Sequence, residues 1–291
     1  MRVLLFGPGG QVGTEIRRRA ANLAEIVPVG RGACDLAAPE SARAAILDSG
    51  CDIVINASAY TAVDKAETEP ALARAVNAEA PRVMAQACAL RAIPLVHFST
   101  DYVFDGEGVR PYIETDRTNP LGVYGASKRE GEAAIEASGA TYAILRLSWV
   151  FSAHGGNFVK TMRRLGRESG AVRVVDDQRG RPTAAADATD AALLIARALK
   201  GDRGKGGVYH FAGAETATWA DFAAQVFAAS RMTVDLTRIP TSAFPTPARR
   251  PKYSVLDTTK FTKTFGMSAP SWKAGLADVI RELDEKERDA A

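Results

Sequence analysis

The sequence predicts an α/β fold: a doubly wound parallel sheet followed by a smaller C-terminal lobe. Three observations carry that expectation. A glycine-rich turn, GPGGQVG, stands directly after the first apolar run and opens the first stretch of helical spacing. Short continuous apolar runs then alternate with helical segments through about residue 150, the pattern of strands covered on both faces by crossover helices. Finally, VYGASK sets Tyr124 and Lys128 four positions apart on a helix, after the run that reads as the fourth strand.

The elements follow in order. RVLLF (2–6) is apolar and stops at glycine, as a buried strand does. QVGTEIRRRAANL has helical spacing, and EIVPVG reads as the second strand. PESARAAILDSG is a helix candidate ahead of DIVINAS (52–58), the third strand. A long helical pattern runs from about Glu67 to Arg91, and IPLVHFST (93–100) is the fourth strand. TYAILRLSWVF (141–151) is the fifth, after the helix of Tyr124 and Lys128. Beyond residue 150 the alternation weakens. AVRVVDDQRGRPT reads as a strand and a loop, AADATDAALLIARALK as a helix, and VYHFAG as a strand after a polar glycine-rich turn (201–207). A proline-rich loop, IPTSAFPTPARRPK, precedes the last helices. This places a dinucleotide domain at 1–150, with part of 184–215 returning to it, and a substrate lobe mainly at 151–291.

Composition narrows the function. With 46% hydrophobic and 24% charged residues the chain reads as an ordinary globular protein. A net charge of +3 is too small to argue for nucleic acid or an anionic membrane as partner, and neither is expected. The basic runs Arg17–Arg19 and Arg249, Arg250, Lys252 read as solvated faces. Cys34, Cys51 and Cys88 are odd in number and far apart, which argues against a disulfide frame or a zinc ribbon. His97, His154 and His210 are scattered without HExxH spacing, so no metal ligand is assigned. The N-terminus lacks the apolar length of a signal segment, and no window approaches the ~20 apolar residues of a membrane span. A reducing cytoplasm is the expected setting.

The glycine turn points to a dinucleotide. Gly7, Gly10 and Gly13 provide a tight turn, close approach of a pyrophosphate to the backbone, and close helix–strand packing in a Rossmann-type fold. An acid after the second strand would bond the adenosine ribose and repel a 2′-phosphate. Here Gly30 and Arg31 stand there, with no acid until Asp35, which favours NADPH and leaves NADH open. Tyr124 and Lys128 lie one above the other on their helix. A free tyrosine titrates near ~10, and a nearby ammonium lowers that value, giving a usable acid–base. The end of the fourth strand supplies Ser99, Thr100 and Asp101 as candidates to hold a carbonyl.

STDYVFDG followed by NPLGVYGASKREGE resembles the extended short-chain dehydrogenase/reductases. Among them, GPGGQVG, INASAYTAVDKAE, LRLSWVF, NFVKTM, DDQRGRPT and PTSAFPTPARRPKYSVLDTTKF are similar, in order and over nearly the whole chain, to the dTDP-4-dehydrorhamnose reductases. The resemblance implies Tyr124 as proton donor, Lys128 as its partner and Thr100 as the third member of the trio. It implies Gly10, Gln11 and Val12 at the cofactor pyrophosphate, Asp35 and Leu36 near the adenine, and Ala59, Tyr60 and Thr61 along the cofactor. Thr100, Asp101 and Trp149 would contact the sugar of dTDP-4-dehydrorhamnose, with the RPT and ARRP segments nearby. One departure is Gly30, where relatives often carry an acid.

Other residues receive plainer readings. Tyr102 is packing or supports the site from behind, Trp219 and Trp272 are core or interface anchors, and His97 is a satisfied core histidine. Asp64, Lys65 and Glu67 begin a helix, and Glu15 lies on a helix face. Magnesium and the choice between monomer and homodimer stay open. So do two rivals on the same fold, a nucleotide-sugar epimerase or dehydratase and a non-catalytic NADP-binding regulatory subunit. Tyr102 stands where a dehydratase would want a second acid, and the intact Tyr/Lys pair speaks against a merely regulatory role.

Overall fold

The computed structural model describes residues 1–290. Its centre is a six-stranded parallel sheet. In chain order the strands are β1 (Arg2–Phe6), β2 (Glu25–Val29), β3 (Ile53–Asn56), β4 (Leu95–Thr100), β5 (Tyr142–Leu147) and β6 (Gly207–His210). In space the order is β6-β5-β4-β3-β1-β2. Registers such as Leu4↔Val54 and Phe98↔Leu145 show every neighbour running the same way. All residues of β3 and β4 are buried, which explains why these strands read as unbroken rather than alternating apolar runs. The chain moves from β1 outward to β2, then returns to the other side of β1 for β3. That reversal opens a crevice at the carboxyl ends of β1, β3 and β4.

The helix Gln11–Arg19 and the helix Ala185–Gly201 cover one face of the sheet around Val3, Leu5, Ile16, Val96, Leu145 and Ile195. A second core belongs to later residues. Phe151, Val159, Phe222, Val226, Trp272 and Leu276 pack together beside a two-stranded parallel pair, Ala171–Val175 with Asp235–Ile239. No helix among the described residues is long and apolar enough to cross a membrane.

Three expectations are corrected. The long helix placed at 67–91 is broken into Val63–Ala66, Pro70–Arg74, a π turn at Ala75–Glu79 and Ala80–Arg91. Pro70 stands at the start of the second segment, and Pro81 accounts for the π turn, having no N–H for the Asn77 carbonyl that an α-helix would pair with it. The fifth strand stops at Leu147 instead of reaching residue 151. Trp149 turns the chain with a left-handed φ of +48°, and Val150–Phe151 pair with Thr183–Ala184 in a separate ladder. The basic runs are not simply solvated. Arg18 bonds Glu282 at 2.9 Å, Arg19 pairs with Asp190, and Arg250 pairs with Asp64 at 2.7 Å, all partners distant in sequence.

Candidate active site

The crevice is a cleft of about 540 Å³. Its floor is the glycine turn. Gly7 has φ +75°, and a Cβ there would lie 2.8 Å from the Ala57 backbone. A Cβ on Gly13 would lie 2.0 Å from the Gly7 carbonyl oxygen. Neither glycine lines the cleft; they let the turn sit close enough for Gly10, Gln11 and Val12 to do so. Gly10 caps the helix Gln11–Arg19 without a side-chain bond, so first-turn N–H groups face the cleft. Gln11 ties this turn to the later lobe, its Oε1 accepting from Ser152 Oγ and Asn157 Nδ2 at 3.0 Å each. Gly13→Ala is expected to lower the thermal midpoint and abolish dinucleotide binding together, because a 2.0 Å contact with backbone has no flexible neighbour to yield. Thermal unfolding and a cofactor titration would check this.

The opposite wall is built by the helix Val123–Glu136. Its first free N–H, on Val123, donates to Glu67 Oε1 at 2.8 Å, giving Glu67 a helix-capping role that sequence reading left unassigned. Gly125 and Gly131 let the helix press on its neighbours. A Cβ at Gly125 would meet the Tyr102 carbonyl at 2.2 Å, and one at Gly131 the Asn77 carbonyl at 2.1 Å. The π turn thus serves as the helix's seat, with Asn77 Nδ2 donating to Ser127 Oγ at 3.1 Å.

Tyr124, Lys128, Thr100 and Asp101 meet in the cleft as expected from sequence. Tyr124 is half-buried, edge-on to Tyr102 with ring centroids 6.0 Å apart. Burial pushes its phenol up to about 12, while the nearby Thr100 hydroxyl pulls it down. Lys128 is buried, its Nζ donating to the Phe98 carbonyl at 2.6 Å and standing 3.1 Å from His97 Nε2. Burial lowers it to about 8, with Glu132 opposing. The expectation that Lys128 acidifies the phenol is therefore corrected for this state. The amine is turned toward β4, and the phenol stays protonated. Asp101 is raised to about 6 by burial, against the nearby Ser254 hydroxyl and bonds from the hydroxyls of Thr100 and Ser148.

Of the other residues singled out in the sequence, Ala59, Thr61 and Trp149 line the cleft. Tyr60 does not; its N–H donates to Asn77 Oδ1 and its hydroxyl to Glu69 Oε2 at 2.7 Å. Arg31 and Asp35 are exposed beyond β2, and Leu36 packs in the core with Leu4 and Ile46. Sequence reading missed Trp219, which was assigned to core or interface. Its indole lies face to face with Trp149 at 3.6 Å and 7°, on the cleft wall. The two are separated by 70 positions, so no local period could reveal the stack. Gly155, Gly156 and Asn157 were missed too, although a GGN ahead of a helix is a readable signal.

Two features of the chain suit a dinucleotide. Ser99 Oγ is buried at the cleft with no partner in the protein, and the helix N-terminus above Gly10 is uncapped. Away from the cleft, Glu15, His154 and Glu282 gather within 4.8 Å, so Glu15 is buried rather than merely on a helix face. Arg18 and Lys286 already bring positive charge to the Glu282 carboxylate.

The parallel sheet, the glycine turn at its switch point and the Thr/Tyr/Lys trio across the cleft define a reductase of the extended short-chain dehydrogenase type. The chain belongs to the family described as RmlD substrate binding domain, whose model matches residues 1–285. It is 42% identical to a dTDP-4-dehydrorhamnose reductase of Burkholderia thailandensis, over 97% of this chain and 99% of the relative. Among solved structures, a dTDP-4-dehydrorhamnose reductase of Clostridium acetobutylicum superposes with TM-score 0.91 at 35% identity, covering 98% of this chain and 100% of that one. The Bacillus anthracis dTDP-4-dehydrorhamnose reductase in complex with NADP gives 0.90 at 34% identity, covering 97% and 99%.

Proposed function

We propose that the protein reduces the C4 carbonyl of dTDP-4-dehydro-L-rhamnose, with NADPH as reductant. The observation that carries this reading is the convergence of Thr100, Tyr124 and Lys128 on one cleft floored by an uncapped helix N-terminus. The residues above Gly10 would hold the pyrophosphate, and Arg31, exposed after β2, would face a 2′-phosphate. The bound dinucleotide supplies a hydride.

The chain's own residues do the rest. The Thr100 hydroxyl orients the substrate carbonyl oxygen beside the phenol. Tyr124, kept neutral by burial, gives its proton to the alkoxide as negative charge develops there, since an alkoxide is a stronger base than phenolate. Lys128 would hold the cofactor ribose and, as an ammonium, neutralise the phenolate left behind. Asp101 and the Trp149 indole would bind the sugar, and the RPT and ARRP segments would help form the nucleotide-sugar site. Loss of NADPH absorbance on mixing with enzymatically prepared dTDP-4-dehydrorhamnose tests the proposal. No turnover with NADPH or NADH would remove this substrate from consideration.

A further inference from the structure

His97 lies in the middle of β4, fully buried, one residue before the strand reaches the cleft. A core histidine needs only to be satisfied. This one is satisfied in a way that constrains Lys128.

The constraint comes from counting donors and acceptors along one buried chain. It begins at a backbone group whose polarity is not negotiable: Ser58 N–H donates to Asn56 Oδ1 at 3.0 Å. Asn56 must then present Nδ2, a pure donor, to His97 Nδ1 at 3.1 Å. His97 Nδ1 accepts, so the neutral ring carries its hydrogen on Nε2. That N–H points at Lys128 Nζ, 3.1 Å away. An ammonium has no lone pair to accept it. Only the neutral amine completes the chain, accepting from His97 while donating to the Phe98 carbonyl at 2.6 Å.

We propose that Asn56 and His97 are positioning residues that lower the proton affinity of Lys128 in the cofactor-free protein, so that in mildly alkaline solution the amine is neutral and takes up a proton as the dinucleotide binds. Protonation deprives His97 of its acceptor and releases Lys128 toward the cleft, where ribose hydroxyls would accept from it. The surroundings agree. Burial favours the neutral forms of both Lys128 and His97. The other charged or titratable groups near the amine are few. Tyr124 lies one turn back on the same helix, and Asp101 follows Thr100 at the end of β4. Glu132, one turn on, is taken by Arg146 of β5 at 2.7 Å. The π turn on the outer side offers Asn77, bonded to Ser127, while its Glu79 is paired with Arg82.

The inference rests on the reductase reading only for its consequence, because its first test needs no substrate or cofactor. Isotope-labelled histidine in the cofactor-free protein reports the ring tautomer by NMR. At about pH 8.5, above the lowered Lys128 value and below the ~10.4 of an ordinary lysine, the expected His97 signal is the Nε2–H tautomer. An Nδ1–H tautomer would mean that Lys128 donates to His97 Nε2, a bond that an ammonium makes equally well, and would overturn the proposal. The second test is the pH dependence of NADPH affinity. In wild type Kd should rise roughly tenfold per pH unit above about 8, one proton being taken up on binding. Asn56→Asp offers His97 Nδ1 an acceptor, reverses the chain and should flip the tautomer and flatten that rise. Nε2–H with pH-independent NADPH affinity in wild type would overturn the proton uptake. A reductase that turns over another sugar would leave both tests intact.

Discussion

Tyr124→Phe is expected to lower kcat roughly 10²–10⁴-fold, the usual size of a general acid–base contribution, with little change in NADPH affinity. The structure explains why the change should be confined to chemistry. The phenylalanine ring keeps the half-buried, edge-on contact with Tyr102, and the helix around it is held elsewhere, by Glu67, Gly125 and Asn77. Only the hydroxyl is lost, and Thr100 Oγ1 retains its bond to Asp101 Oδ1 at 3.1 Å. Steady-state rates beside a fluorescence titration of NADPH would separate the two effects. Near-normal turnover would take the proton donor away from Tyr124, whatever the substrate proves to be.

The largest stability effect is expected at Glu132, which no functional reading singles out. Its carboxylate takes two bonds from Arg146, Nε to Oε1 at 2.8 Å and Nη2 to Oε2 at 2.7 Å, with both side chains buried. The guanidinium also lies over the Phe104 ring at 5.2 Å. Glu132→Ala leaves that charge buried and unpaired, which costs about 3–5 kcal/mol. At ~2–4 °C per kcal/mol for a domain of somewhat smaller size, the midpoint should fall on the order of 10 °C. The double change Glu132→Leu with Arg146→Met should recover much of the loss, since it removes both charges and keeps the volume. A thermal midpoint for Glu132→Ala within a degree of wild type would show that the pair holds nothing together. By contrast Arg281–Asp278, 67% exposed on both sides, should contribute little however short its contact.

These two effects differ in how legible they were. Tyr124 and Lys128 announce themselves by spacing, because helix geometry alone places i and i+4 on one face. The glycine turn does the same, since its position after an apolar run and before a helical one forces it to the crevice. Five strands and most of the helices are likewise written locally, as apolar runs ended by glycine or polar residues. Glu132 and Arg146 gave no such sign. A carboxylate and a guanidinium fourteen positions apart are unremarkable until a helix is laid against a strand. The Trp149–Trp219 stack, the capping of the active-site helix by Glu67 and the pairing of Arg18 with Glu282 are hidden for the same reason.

Sequence alone therefore determined the sheet, the glycine turn at the crevice and the placing of Tyr124 and Lys128 on one helix face, features set by periodicity and by local backbone sterics. Tertiary structure decided what state those groups are in. It placed Lys128 against His97 and Phe98 rather than against the phenol, and raised Tyr124 instead of lowering it. It also turned the π turn of the predicted 67–91 helix, which proline chemistry makes locally, into the seat of the active-site helix. Burial and partner polarity are sums over segments far apart in the chain, and they come into being only when those segments pack.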